Sequence, residues 1–310
     1  MNVLSILYML NKVFMQKYII ACFTVITCVF LGLSTVPVKA QTKGLLWQIT
    51  GQSIKQPTYL YGTIHLFDTT LYQLPEPVMA KLTQTKQVYF ELDFGKINPM
   101  EMMGFAMVKD STQQLDKLLD TASLTKLKEL AKTSPMMQMM GPAMYRLKPI
   151  FLTTLLLNNG KAVTIDMEMY KRAQQLKDSI GGLETVAEQM QAIETISIAN
   201  QAKMMQDYLK TYTGANETIK KLTEIYVKQD IEHLLEEMND NAPIDADFNE
   251  VLLIKRNIVM ANRIDSLVGK TSTMIAVGAG HLGGKSGLIA LLKKKGYQLK
   301  SLPFTFTKSH

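Results

Sequence analysis

The chain has 310 residues, 47% of them hydrophobic, and a formal net charge of +7. It is long enough for one large core or two modest ones, and its basic residues are spread out, which excludes a nucleic-acid footprint. Both cysteines, Cys22 and Cys28, fall within the first 40 residues, so the remainder has no disulfide or thiol chemistry.

Residues 1–40 read as an export signal. Lys12 and Lys17 precede Tyr18 to Leu33, which is nearly all apolar, and Val38-Lys-Ala40 fits a small-x-small cleavage site. Met15 offers an alternative start that gives a signal of ordinary length. The apolar run of about 16 residues is short beside the roughly 20 of a membrane span. Cleavage after Ala40 is therefore expected over an uncut membrane anchor. Val25-Ile-Thr-Cys28 lacks the small residues of a lipobox. The expectation is a secreted or periplasmic protein comprising residues 41–310. Loss of Lys12, Lys17 and Lys39 would leave it at +4.

Gly44 to Thr50 alternates as a strand does, and Gly51 to Pro57 is rich in breakers. Thr58 to Ile64 completes a hairpin. Pro75 to Thr85 reads as a helix with proline at its start, and Gln87 to Asp93 as the next strand. From Pro99 to about Asp240 the spacing is helical. Leu115, Leu118, Leu119, Leu124, Leu127 and Leu130 recur at three and four. Helices are expected over Tyr145 to Leu157, which stops at Asn158-Asn-Gly160, and over Met167 to Lys177. Ser179 to Thr185 reads as a short strand and turn. Thr185 caps the next helix, with Glu188 at the capping-box spacing. Helices follow over about Ala187 to Thr213, Asn216 to Asn239 and Phe248 to Val268. Thr273 to Val277 is a strand, Leu288 to Lys295 a helix and Tyr297 to Leu302 a closing strand. The fold class is thus α/β (α+β): a central mixed β-sheet built from the N- and C-terminal segments, with a helical insertion at about 99–245. The methionine-rich stretch Met136 to Met140 reads as core filling.

One motif occurs twice. Gly62-Thr-Ile-His65 and Gly278-Ala-Gly-His281 both end strands, and their histidines lie 216 positions apart. If those strands are neighbours, both imidazoles sit at one edge of the sheet. A glycine three residues before each histidine permits a sharp turn or close approach to a ligand. Glu91 and Asp93 share a face of the intervening strand, and a carboxylate buried there needs a partner, for which Arg256 is a candidate. Glu184, after a Gly-Gly turn, is a weaker one. Two histidines and a glutamate can bind a divalent metal and activate water, and they can equally do metal-free acid–base work. His233 lies among acids and reads as exposed, and His310 as a disordered terminus. Gly283-Gly-Lys-Ser286 lacks the spacing of a phosphate loop, so nucleotide binding is rejected.

These residues also resemble a family. Leu45-Leu-Trp-Gln-Ile, Tyr59 to His65, Phe90-Glu-Leu-Asp93, Ile165-Asp166, Gly182-Leu-Glu-Thr185 with Glu188-Gln189, Arg256-Asn257 and Val277 to Gly284 follow one another as in the TraB/GumN family. That family is similar to the TIKI proteases and, more distantly, to erythromycin esterases and ChaN-like haem-binding proteins. The resemblance implies a site of His65, Glu91 and His281, with Arg256 and Glu184 nearby. It implies a metal-dependent hydrolase acting on a peptide or protein, with a divalent ion of the Mn, Co or Zn type. A metal-free esterase-like hydrolase, a haem- or ligand-binding module and a purely structural export protein are the alternatives. Neither oligomeric state nor substrate follows from the sequence.

Overall fold

A computed structural model describes residues 43–51, 54–157, 162–234 and 250–309. The signal and its cleavage site, the Asn158–Gly160 stop, the helix end at Asn239, Phe248 and His310 lie outside the described residues. Among the described residues no helix is long and apolar enough to cross a membrane.

The centre is a six-stranded mixed sheet. Its strands are β1 (Leu46–Thr50), β2 (Thr58–Thr63), β3 (Gln87–Leu92), β4 (Ser179–Glu184), β5 (Thr273–Gly278) and β6 (Gln298–Ser301), in the order β4-β3-β5-β2-β1-β6. β1 and β2 form the expected antiparallel hairpin, and β6 pairs antiparallel with β1. β2, β5, β3 and β4 run parallel. Five strands come from the two ends of the chain. The sixth, β4, comes from the middle, at the short strand read over Ser179 to Thr185. β2 and β5 are buried along their whole length, as parallel strands covered on both faces must be.

Twelve helices matter to the argument. They are α1 (Glu76–Leu82), α2 (Pro99–Ala106), α3 (Leu115–Leu118), α4 (Thr121–Thr133), α5 (Pro135–Met140), α6 (Pro149–Leu157), α7 (Ile165–Leu176), α8 (Val186–Glu194), α9 (Ile198–Thr211), α10 (Ala215–Tyr226), α11 (Arg256–Leu267) and α12 (Leu288–Lys294). Four boundaries differ from expectation. The helix expected over Asn216 to Asn239 ends at Tyr226, where the chain turns through Gln229 at φ 57° before a further helical stretch at 231–234. The helix expected from Tyr145 starts at Pro149, because a residue before proline is pushed out of the helical region. The helix expected over Ala187 to Thr213 is two: Ser197 caps α9 by accepting from the Asn200 amide. The described part of the helix expected over Phe248 to Val268 is π-helical over Glu250–Lys255 and α-helical from Arg256.

Apolar side chains gather into two main cores. One surrounds the sheet and includes Leu60, Phe90, Ile165, Met260, Ile275 and Leu288. The other fills the helical middle, with Leu115, Leu127, Phe151, Leu152, Met205 and Leu209. α7 and β4 return from that middle to the sheet core, through Ile165, Met169 and Leu183. Leu92, at the end of β3, and Leu252, one turn before Arg256, belong to the second core. Glu91 and Arg256 therefore stand at the seam between the two. In the methionine stretch, Met137 is buried and Met139 is 47% exposed, so core filling accounts for only part of it.

Candidate active site

β2 and β5 pair in parallel, with Thr63 opposite Gly278. Both histidines follow at the carboxyl end of that pair, where α/β sheets hold their ligands. His65 and His281 are 1% and 0% exposed, and Glu91, Glu184 and Arg256 are buried with them. β3 lies on the other side of β5 and delivers Glu91 to the same edge, while β4 delivers Glu184.

Glu91 is fully engaged. Its Oε1 accepts from the Gly278 amide at 2.7 Å. Its Oε2 accepts from Arg256 Nη2 at 2.8 Å and from Gln189 Nε2 at 3.2 Å. Burial alone would raise its pKa, but the charges of His281, Arg256 and His65, with the Gly278 amide, outweigh that and hold it at about 2. Arg256 also grips Glu184 in bidentate fashion: Nε and Nη2 donate to its carboxylate at 2.6–3.0 Å. Nη1 donates to the Leu252 carbonyl at 3.2 Å. With nearly all of its five N–H donors committed to the protein, Arg256 serves to hold the two glutamates. Burial nonetheless pushes the Glu184 pKa upward against the guanidinium beside it.

The two histidines are held by different partners. His65 Nδ1 lies 3.0 Å from Asp166 Oδ2, and Asp166 Oδ1 accepts from the Thr63 hydroxyl at 2.7 Å. The start of α7 fixes this loop further: Thr164 Oγ1 donates to the His65 carbonyl, and Ile165 N to that of Ile64. His281 Nδ1 lies 2.6 Å from Asn257 Oδ1, and Asn257 Nδ2 donates to the Ser286 carbonyl at 2.9 Å. Its Nε2 is buried with no hydrogen-bond partner and stands 3.6 Å from Glu91 Oε1. Burial, reinforced by Arg256 and His65 and opposed by Glu91, lowers the His281 pKa to about 3. At neutral pH the ring is an uncharged lone-pair donor facing a carboxylate.

The structure thus brings His65, Glu91, His281, Arg256 and Glu184 to one edge. It does not bring Asp93, which caps the turn at Phe94–Lys96 and pairs with Lys96. Gly62 is neither a turn nor a ligand approach: it lies inside β2, where a Cβ would come within 2.6 Å of Leu282 Cδ1 and 3.0 Å of Ala279 Cα. It is glycine so that β2 can pack on the turn carrying His281. His233 is half-buried rather than exposed, its amide donating to Asp230. Sequence reasoning did not single out Asp166, Asn257 and Gln189 as site residues, although each stands beside or within a quoted motif.

Among the described residues no three His, Cys, Asp or Glu side chains form a closed metal cage. The residues still fit a cation in two respects. Zinc donors lie ~2.0–2.2 Å from the ion, and a 3.6 Å gap between His281 Nε2 and Glu91 Oε1 can be shared by one ion. In addition, three carboxyl side chains, Glu91, Glu184 and Asp166, are buried at this edge with one arginine, Arg256, and oxygen donors beside imidazole suit a divalent cation.

Fold and site define an α/β protein with a buried histidine–carboxylate centre at the carboxyl edge of its parallel strands. The chain belongs to the TraB/PrgY/gumN family, whose model matches residues 45–301. Similar curated proteins include Metalloprotease TIKI1 of Xenopus tropicalis, 23% identical over 86% of this chain and 63% of that protein. Metalloprotease TIKI2 of Xenopus tropicalis is 23% identical over 96% and 70%, and Metalloprotease TIKI1 of Homo sapiens 21% over 86% and 63%. The chain thus spans about 63% of the length of the first of these relatives. No solved structure matches.

Proposed function

We propose that this chain is a metal-dependent hydrolase of peptide bonds, exported after loss of residues 1–40 and working as one unit over residues 41–310, with residues 99–245 largely forming a helical wall. The observation that carries the reading is the buried, unpartnered Nε2 of His281 beside the ionised Glu91 carboxylate. The names of the TIKI relatives support it. His281 and Glu91 would hold a divalent ion together with His65. When bound, that ion would supply Lewis-acid activation of the scissile carbonyl and of water. Arg256 keeps Glu91 ionised and aimed. The Asp166 carboxylate keeps the His65 ring oriented and able to carry a proton.

The test uses purified chain. Elemental analysis should find about one equivalent of a divalent ion, lost on His281→Ala and on Glu91→Gln. Cleavage of a fluorogenic peptide library should stop on chelation and return with added Zn²⁺, Mn²⁺ or Co²⁺. Hydrolysis that survives exhaustive chelation would sink the metal reading in favour of metal-free acid–base catalysis. A Soret band on haem addition, without cleavage, would favour a binding module instead. N-terminal sequencing of the exported protein should begin at Gln41, and an intact signal would overturn the cleavage.

A further inference from the structure

Asn257 has one hydrogen-bonding arrangement that satisfies all of its neighbours. Its Nδ2 meets the Ser286 carbonyl, an acceptor only, at 2.9 Å. Its Oδ1 must then meet His281 Nδ1, at 2.6 Å. The reversed amide would set oxygen against the half-buried Ser286 carbonyl at 2.9 Å and turn its N–H groups toward His281, and Asn257 itself, 2% exposed, is buried too deeply for water to relieve the mismatch. The carbonyl of a loop residue therefore fixes the amide, and the amide fixes the ring: Nδ1 must carry the hydrogen. Nε2 is left as a bare lone pair, and it is the nitrogen that faces Glu91 Oε1. In the other tautomer Nε2–H would point at Glu91, and a hydrogen bond to that carboxylate would close the gap.

We propose that Asn257, aimed by the Ser286 carbonyl, is a positioning residue that locks His281 in the Nδ1–H tautomer and so keeps its Nε2 lone pair presented beside Glu91. The inference deepens the metal-site reading and rests on it for its purpose, though not for its geometry. It also gives the Gly283–Gly287 loop a function. Through the Ser286 backbone the loop supplies the acceptor that orients Asn257. The junction of the π-helical segment with α11 sets Arg256 and Asn257 side by side, one toward the glutamates and one toward His281.

The experiment is long-range ¹H–¹⁵N NMR of histidine-labelled full chain, metal-free at pH 8, with His281 assigned by its loss in His281→Gln. The expected spectrum shows Nδ1 protonated and Nε2 bare. Asn257→Asp, which keeps an acceptor, should preserve that pattern. Asn257→Leu should release the ring to the Nε2–H form and weaken Zn²⁺ binding, measured by calorimetry, by about 10- to 100-fold. Finding His281 as Nε2–H in the unmodified chain would overturn the proposal. So would wild-type tautomer and Zn²⁺ affinity in Asn257→Leu. If Asn257→Leu does not fold, the spectra of the unmodified chain and of Asn257→Asp decide it alone. A chain that takes up no Zn²⁺ yet shows the Nδ1–H form removes the metal reading and leaves the tautomer lock standing.

Discussion

Arg256 is the residue on which the buried charges depend. It is the shared partner of Glu91 and Glu184, and removing one member of a buried ion pair leaves uncompensated charge, at a cost of about 3–5 kcal/mol. Arg256→Ala should therefore lower stability in urea by that order, and Arg256→Lys should recover only part of it, because an ammonium cannot serve both glutamates in the same fork geometry. Asp166→Asn should leave the fold standing, since Thr63 can still donate to the side-chain oxygen, but should weaken the hold on His65. The check is peptide hydrolysis, with kcat falling more than KM rises. At this scale the sequence told much of the story. Repeated Gly-x-x-His, the acids Glu91 and Asp93 at the end of an apolar strand and Arg256 late in the chain pointed to the site, and of these only Asp93 stays outside it. Asp166 was hidden because it looks like ordinary helix-start chemistry, a short polar group in a first turn, and Asn257 because it falls in the middle of the helix expected over Phe248 to Val268. Only the fold reveals that their side chains reach sideways to a ring.

Among the elements, the close packing of β2 on the His281 turn has its own cost structure. Gly62→Ala would drive a methyl into Leu282 and the Ala279 backbone, and such overpacking costs about 1–3 kcal/mol. Chemical denaturation should register that loss, along with reduced ion uptake as the His281 turn shifts. A wild-type unfolding midpoint and full uptake would show that the turn yields easily. The strands were legible because period-two alternation and buried β-branched runs survive without tertiary context. The helix joins were less so. Nothing in the periodicity of 187–213 marks Ser197 as a new cap, and the π-helical segment Glu250–Lys255 has no signature in composition.

For the whole molecule, Glu91 and His281 make stability depend on pH with one shared sign, opposed by Glu184, whose raised pKa favours the acid side. Glu91 has a folded-state pKa of about 2, below its ordinary 4.5. Its contribution is present above 4.5 and lost as pH falls toward 2. His281 has a folded-state pKa of about 3, below its ordinary 6.5. The unfolded chain takes up that proton first, so this contribution too is present above 6.5 and lost on acidification. Urea midpoints should fall from pH 7.5 to 5.5 and more steeply to pH 4. His281→Gln should flatten the upper part of the curve. A midpoint that rises toward pH 5.5 would contradict the neutral, buried ring.

The order of the sheet also sets a timetable. β5 lies between β3 and β2 yet is the last strand but one to be made. At about 5–20 residues per second of synthesis, some ten to forty seconds separate the emergence of His65 from that of His281. Until then β2 and β3 have no common neighbour to join them, and the two halves of the site cannot meet. A nascent or truncated chain ending before residue 273 holds most of the helical mass and no assembled centre. Assembly of this centre thus waits until β5 has been made, an order written into the strand sequence alone.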